Sequence, residues 1–387
     1  DLIVWDAPPK MHKHVFEAVD RTLRDITGCR DVVFGGKVVV LGGDFRQILP
    51  VVPRGNRGQI VSATLQASHI IWPSVRVFRL HENMRVSTLR QAGDEAQAQE
   101  LADFAAFVQR VGEGTEQEYP ALGESMIRIP PGMWCGAGAG ASVRDLIEEV
   151  YGGVRDLDGE ARAEHIIERA IMTPLNQHVD AVNKQIMEWM SSFDGGVEQR
   201  EYLSADGTVG GETQGLYPIE FLNSLNFSGV PSHKLLLRVG CPIILLRNLT
   251  GGLANGTRLI VTRLGDRVIE AKVATGPSKG EVVCIPRLGI TPSDTSMPFT
   301  LRRLQFPVRP AFAMTVNKSQ GQTLKMVGVY LPKAVFSHGQ LYVALSRVGR
   351  MQAVRVLAEG GWVNEGEFDG VPEGLYTANV VYREVLT

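Results

Sequence analysis

The chain of 387 residues is long enough for two or three domains, each with its own core. Its 44% hydrophobic and 21% charged residues exclude a disordered or fibrous chain, and no apolar run is long enough to span a membrane. A net charge of -2 excludes global attraction to nucleic acid, so any such contact has to come from a local groove.

Residues 2–5, "LIVW", read as a short buried strand that delivers Asp6 at its end. The start of the chain directly at a core strand suggests a fragment whose N-terminal part is missing. Phe16, Val19, Leu23 and Ile26 share one helical face. Residues 38–41 form a second expected strand, running into Gly42-Gly43-Asp44, and residues 75–80 a third. Apolar runs separated by helices predict an α/β fold with a parallel sheet covered on both faces. Residues 88–111 have helical spacing through Leu101, Phe104, Phe107 and Val111, and residues 130–142 are a Gly/Pro-rich loop. A second α/β pattern begins near Asp145, with a strand at 166–172 ending in "TPLN" and a helix over 179–190. From Lys234 the texture changes to short strands separated by Asn-Gly, Gly-Asp and Gly-Pro-Ser turns, which predicts a small antiparallel β-barrel inserted in the second α/β domain. After Phe306 the α/β pattern returns, with strands at 326–331 and 354–357 and a helix through 341–346. Cys29, Cys135, Cys241 and Cys284 lack metal-ligand spacing and read as reduced thiols.

Chemistry-bearing residues gather at the ends of these strands. Asp6 sits where open α/β sheets bind ligands, the position of a magnesium-holding carboxylate in phosphate-loop enzymes, although many strands end in Asp only to cap the next helix. "GGDFRQ" presents Asp44, Arg46 and Gln47 beyond the second strand, and a Gln there can orient water against a terminal phosphate. Arg85, in "ENMR", and Arg347, in "QLYVALSRV", are candidate partners for phosphate charge. "FAMTVNKSQGQTL" crowds Thr315, Lys318, Ser319 and Gln322 around Gly321, a run suited to sugar-phosphate and nucleotide contacts.

The ordered set "GGDFRQILPVV", "ENMR", "NGTRLIV", "FPVRPAFAMTVNKSQGQTL" and "FSHGQLYVALSRV" resembles the Pif helicases of superfamily one, most of all the helicase part of Helitron transposons. The resemblance implies two RecA-like domains of the P-loop NTPase class, the first incomplete (1–118), the second formed by 119–232 and 306–387, with the barrel at 233–305. It implies 5′-to-3′ translocation on single strands and duplex unwinding driven by ATP with Mg2+, single-stranded and forked DNA as partners, nuclear roles in DNA repair, recombination and telomere maintenance, and no membrane. By position, Asp6 matches the magnesium-holding aspartate, Gln47 the glutamine coupling γ-phosphate to DNA, and Arg85 and Arg347 the phosphate-sensing arginines. Thr173 and Asn176 match DNA-backbone contacts, and Thr315, Lys318, Ser319, Gly321 and Gln322 the segment bridging nucleotide and DNA.

Two departures stand out. No G-x-x-x-x-G-K-[ST] loop occurs, and "FGGKVV" lacks the hydroxyl and the following helix; the family's loop precedes Asp6, so truncation is the expected cause. The family reads Asp-Glu where this chain has Asp6-Ala7, so the residue that polarises the attacking water is absent. A catalytically inactive relic that clamps single strands is therefore the alternative expectation, and a nucleotide-binding enzyme without DNA a third. The incomplete first sheet also predicts aggregation of the isolated chain.

Overall fold

The computed structural model describes residues 2–209, 216–249, 252–292 and 297–386, which divide into two compact units. The first contains the residues up to Gly140, Ser319–Gln322 and those from Leu331 onward; the second contains Ala141–Lys318 and Thr323–Tyr330.

In the first unit, strand Leu2–Asp6 lies parallel to Val38–Gly42, with Trp5 opposite Leu41 and Asp6 opposite Gly42. The connection between them is the helix Lys13–Thr27, whose N-cap is the His12 ring and whose end is Gly28 in the left-handed conformation. Its inner face buries Phe16 against Phe34, Leu65 and Ile71, with Trp5, Val19, Leu23 and Leu41 packed around them. Only that face of the sheet is covered. Leu2, Val4, Val38 and Val40 alternate onto the other face and are 48–69% exposed, so the expected two-sided cover is absent among the described residues.

The expected strand at 75–80 has no regular structure, and Val77, Phe78 and Leu80 are exposed. A strand exists only when its N–H and C=O groups find a ladder, and this run pairs with none of the described strands. The helical pattern beyond it splits into Met84–Gln91 and Glu95–Glu113. The break is at Gly93-Asp94, where Asp94 caps the second helix by accepting from the Gln97 N–H. The unit also holds an antiparallel sheet in which Gly374–Ala378 lies between Trp362–Val363 and Met126–Ile129.

In the second unit, Arg169–Thr173 is the central strand of a parallel set, flanked by Ala313–Thr315 and Met326–Leu331. Helix Asn176–Ser191 follows it and packs through Val179, Val182, Ile186 and Met190. The span expected as a barrel forms antiparallel strands in two main groups. One is a five-stranded sheet in which Arg258–Leu264 pairs with both Pro242–Leu245 and Val268–Val273. The other has Thr300–Gln305 between Leu288–Ile290 and Ala205–Val209. Residues 250, 251 and 293–296 of that span lie outside the described residues. No helix among the described residues is long and apolar enough to cross a membrane.

Candidate functional site

Strand pairing brings Asp6 and Gly42 to the same end of the first sheet. Asp6 is exposed there. Ala7 turns the chain with φ 52° and ψ 48°, its N–H donating to the Gly42 carbonyl at 2.8 Å. A left-handed alanine costs roughly 1–2 kcal/mol. The turn leads into Pro8–Lys10, and a Cβ on Gly43 would lie 2.7 Å from Pro9 Cδ, so the two loops touch only because position 43 is glycine. Ala7→Gly is expected to raise stability by about 1 kcal/mol, read as a higher midpoint in thermal unfolding; an unchanged or lower midpoint would contradict the strain.

Lys10 is within electrostatic reach of both Asp6 and Arg347. Arg347 is 9% exposed; its Nε donates to the Val343 carbonyl at 2.8 Å, and its Nη atoms donate to the Gln322 carbonyl and Ser346 Oγ. No carboxylate pairs with it among the described residues, and burial lowers its proton affinity. Burial, and then the Arg347 charge, also lowers the Lys10 pKa, while Asp6 opposes the shift. Lys10, coupled to the exposed Asp6 carboxylate and to the buried Arg347, suits an oxyanion bridged to a hard cation.

The loop that follows the second strand is held from several sides. Asp44 Oδ1 accepts from the Arg46 N–H at 3.0 Å and Arg46 Nε at 2.9 Å, and Oδ2 accepts from the Tyr342 hydroxyl at 2.6 Å. Burial, and then Asp44, push the Tyr342 phenol far up. The Gln47 N–H returns to the Asp44 carbonyl at 3.1 Å, and its side-chain oxygen accepts from the Gln320 amide. His338 is fully buried, with Nε2 2.7 Å from the Phe45 carbonyl and Nδ1 accepting from the Tyr382 N–H at 2.8 Å. Burial lowers its pKa below 6.5, against the Phe45 carbonyl and Asp44. The unfolded chain therefore takes up this proton first, and the stability that neutral His338 confers is complete above pH 6.5 and lost as the pH falls below it. Urea midpoints at pH 7.5 and 5.5 are expected to differ in that direction, with a smaller difference in H338Q; an identical pH dependence in both proteins would refute the assignment.

The second unit carries another cluster. Thr173 and Thr315 are register partners at the ends of their parallel strands. Both are buried, and Thr173 Oγ1 makes no hydrogen bond among the described residues. Asn176 is exposed; its Oδ1 and carbonyl accept from Arg309, which also pairs with Asp180 at 2.7 Å. Lys318 is partly buried, its pKa lowered by burial and by Arg309 against the opposing charge of Asp180.

Of the sequence candidates, the first unit gathers Asp6 and Arg347 around Lys10, Gln47 with Gln320, and Gln322 under Arg347. Gly321 lies between those glutamines as an exposed left-handed turn, and Ser319 just before them is buried. Arg85 is exposed, its N–H bound by the Asn83 side chain. Sequence reasoning missed Lys10, Tyr342, His338 and Arg309. The signal for two of them is their place in the run "FSHGQLYVALSRV", where His338 stands just before the left-handed Gly339 and Tyr342 lies in the first turn of the helix that follows.

Residues 1–120 match the model of the PIF1-like helicase family, and residues 220–264 match that of the DNA helicase Pif1 2B domain. The ATP-dependent DNA helicase PIF1 of Mus musculus is 29% identical over 204 residues, covering 51% of this chain and 29% of its own length. The ATP-dependent DNA helicase PIF7 of Trypanosoma brucei brucei is 27% identical over 384 residues, covering 89% of this chain and 35% of its own length. The chain thus spans about a third of the length of these relatives. A Pif1 helicase from Bacteroides, crystallised with ADP-AlF3 and single-stranded DNA, superposes with a TM-score of 0.56 at 19% identity, covering 92% of this chain and 70% of that one. The likeness is one of fold, α/β with two RecA-like domains.

Proposed function

We propose that this chain belongs to the Pif1-like helicase family and is the part of an ATP-dependent 5′-to-3′ DNA helicase that senses nucleotide and grips single-stranded and forked DNA. The observation that carries the reading is Arg347, a desolvated guanidinium with no carboxylate partner among the described residues, within electrostatic reach of Lys10. Such a cation is costly unless an anion arrives, and a triphosphate is such an anion. In this reading Arg347 and Arg85 meet phosphate charge, Gly321 and Gln322 line the nucleotide, and Gln47 relays its state toward DNA. Asp6 fits Mg2+ as a single carboxylate sharing the ion with substrate phosphates; the ion would neutralise phosphate charge. Asn176 and Lys318 contact the DNA backbone, Thr173 and Thr315 shape that surface from beneath, and Ser319 belongs to the same DNA-contacting run.

The reading takes 1–118 as the first RecA-like domain, 119–232 with 306–387 as the second, and 233–305 as a small inserted barrel, supported by the antiparallel strands there. Descent from a Helitron helicase and nuclear work in DNA repair, recombination and telomere maintenance belong to the same proposal, supported by the motif order. A second reading, a strand-binding relic without turnover, is favoured by Ala7 at the position of the family's glutamate.

Anisotropy of a labelled oligothymidylate, titrated with protein at several salt concentrations with and without Mg-ATP, tests both. Binding should weaken with salt, with a slope of about -0.7 per neutralised phosphate, and Mg-ATP should shift the affinity. Binding that ignores nucleotide supports the relic; no binding at low salt overturns both readings.

A further inference from the structure

Gln47 sits on a loop without regular structure, yet its surroundings leave that loop little freedom. The segment that restrains it enters the helix Gln340–Leu345, which lies just before Arg347. The His338 ring decides its own tautomer. A backbone carbonyl only accepts and a backbone N–H only donates, so Nε2 carries the proton toward Phe45 and Nδ1 is bare toward Tyr382. Both ring nitrogens are thus used, in a side chain fully shielded from water. The next residue fixes the distance. Gly339 has φ 71°, and a Cβ there would lie 2.2 Å from the Arg46 carbonyl oxygen and 2.9 Å from Gln47 C. One turn on, Tyr342 donates to Asp44, the residue whose carbonyl and carboxylate hold the N–H groups of Gln47 and Arg46. At the other end of the same helix, Arg347 donates to Val343.

We propose that His338 is a positioning residue whose imidazole fixes the loop presenting Gln47 and ties it to the segment that leads to Arg347. A nucleotide drawn to Arg347 then bears on Gln47 through the contacts that His338 and Tyr342 make with that loop. The proposal rests on the reading of Gln47 and Arg347 given above for its functional half; the bracing of the loop by His338 does not depend on it.

Two isosteric variants separate the two ring contacts in the full chain. His338→Asn keeps an acceptor where Nδ1 lies, holding Tyr382 while releasing Phe45. His338→Gln keeps a donor where Nε2 lies, holding Phe45 while releasing Tyr382. Hydrogen exchange of the Arg46 and Gln47 amides is expected to accelerate about tenfold or more in H338N and less than about threefold in H338Q, the scale of one buried hydrogen bond. In the oligothymidylate titration, H338N is expected to lose the response to Mg-ATP while H338Q retains it.

Equal exchange in both variants, or none accelerated, overturns the proposal, because a merely structural histidine would not discriminate its two nitrogens. If wild type shows no response to Mg-ATP, the helicase reading falls, and the exchange comparison still decides the role of His338. Should H338N fail to fold, the imidazole 15N shifts of wild type decide: a bare Nδ1 with a protonated Nε2 supports the brace, and the opposite tautomer overturns it.

Discussion

Asp206→Ala is expected to cost the second unit about 3–5 kcal/mol, the largest loss from any single truncation considered for this chain. The carboxylate is fully buried against Arg303, itself fully buried, with Nε 2.9 Å from Oδ1 and Nη2 2.7 Å from Oδ2. The remaining guanidinium donors go to the carbonyls of Leu222, Leu225 and Pro231. Removing the carboxylate leaves a buried cation whose hydrogen bonds no longer balance its charge, and water cannot reach it. Adding Arg303→Met to Asp206→Ala removes the uncompensated charge but leaves the carbonyls of Leu222, Leu225 and Pro231 without their donor, so it is expected to recover only part of the loss. Urea unfolding followed by circular dichroism measures both. A single-variant loss below about 1 kcal/mol would mean that the pair is hydrated or dispensable.

Arg347→Met is expected to act in the opposite sense on stability and on binding. The guanidinium is desolvated and has no carboxylate partner among the described residues, so its removal relieves a buried charge at the loss of hydrogen bonds to Val343, Gln322 and Ser346. These effects offset, and the unfolding midpoint should stay within the equivalent of about 1 kcal/mol of wild type or rise. Affinity for Mg-ATP should fall roughly tenfold to hundredfold, the worth of charge-assisted hydrogen bonds to phosphate. Titration calorimetry and thermal unfolding of one preparation read both quantities. A large fall in the midpoint with unchanged nucleotide affinity would make Arg347 a structural residue and remove the main support of the nucleotide site.

Much of the fold is legible in the sequence because it is encoded locally. The runs that become Leu2–Asp6, Val38–Gly42 and Met326–Leu331 are apolar stretches of strand length, and each lies close to the expected bounds, although only one face of the first two is covered. The Asn-Gly and Gly-Asp turns likewise announce the antiparallel strands around Arg258–Leu264. Residues 75–80 mislead because strand propensity says nothing about whether a partner ladder exists. The site divides in the same way. Asp6 and Gln47 are readable as polar residues at strand ends, but Lys10 gains meaning only from the approach of Arg347. The contact between His338 and Phe45 joins residues 293 positions apart, and no local pattern encodes a tautomer. Arg309 hides between two prolines in "FPVRPAF" as an ordinary surface cation until Asn176 and Asp180 converge on it.

The uncovered face of the first sheet has a consequence for behaviour in solution. Leu2, Val4, Val38 and Val40 offer a ready-made sticky stripe, and a net charge of -2 supplies little repulsion to keep two copies apart. Pairing of two copies through this stripe is expected, read as a sedimentation coefficient that rises with protein concentration and falls on dilution more than on added salt.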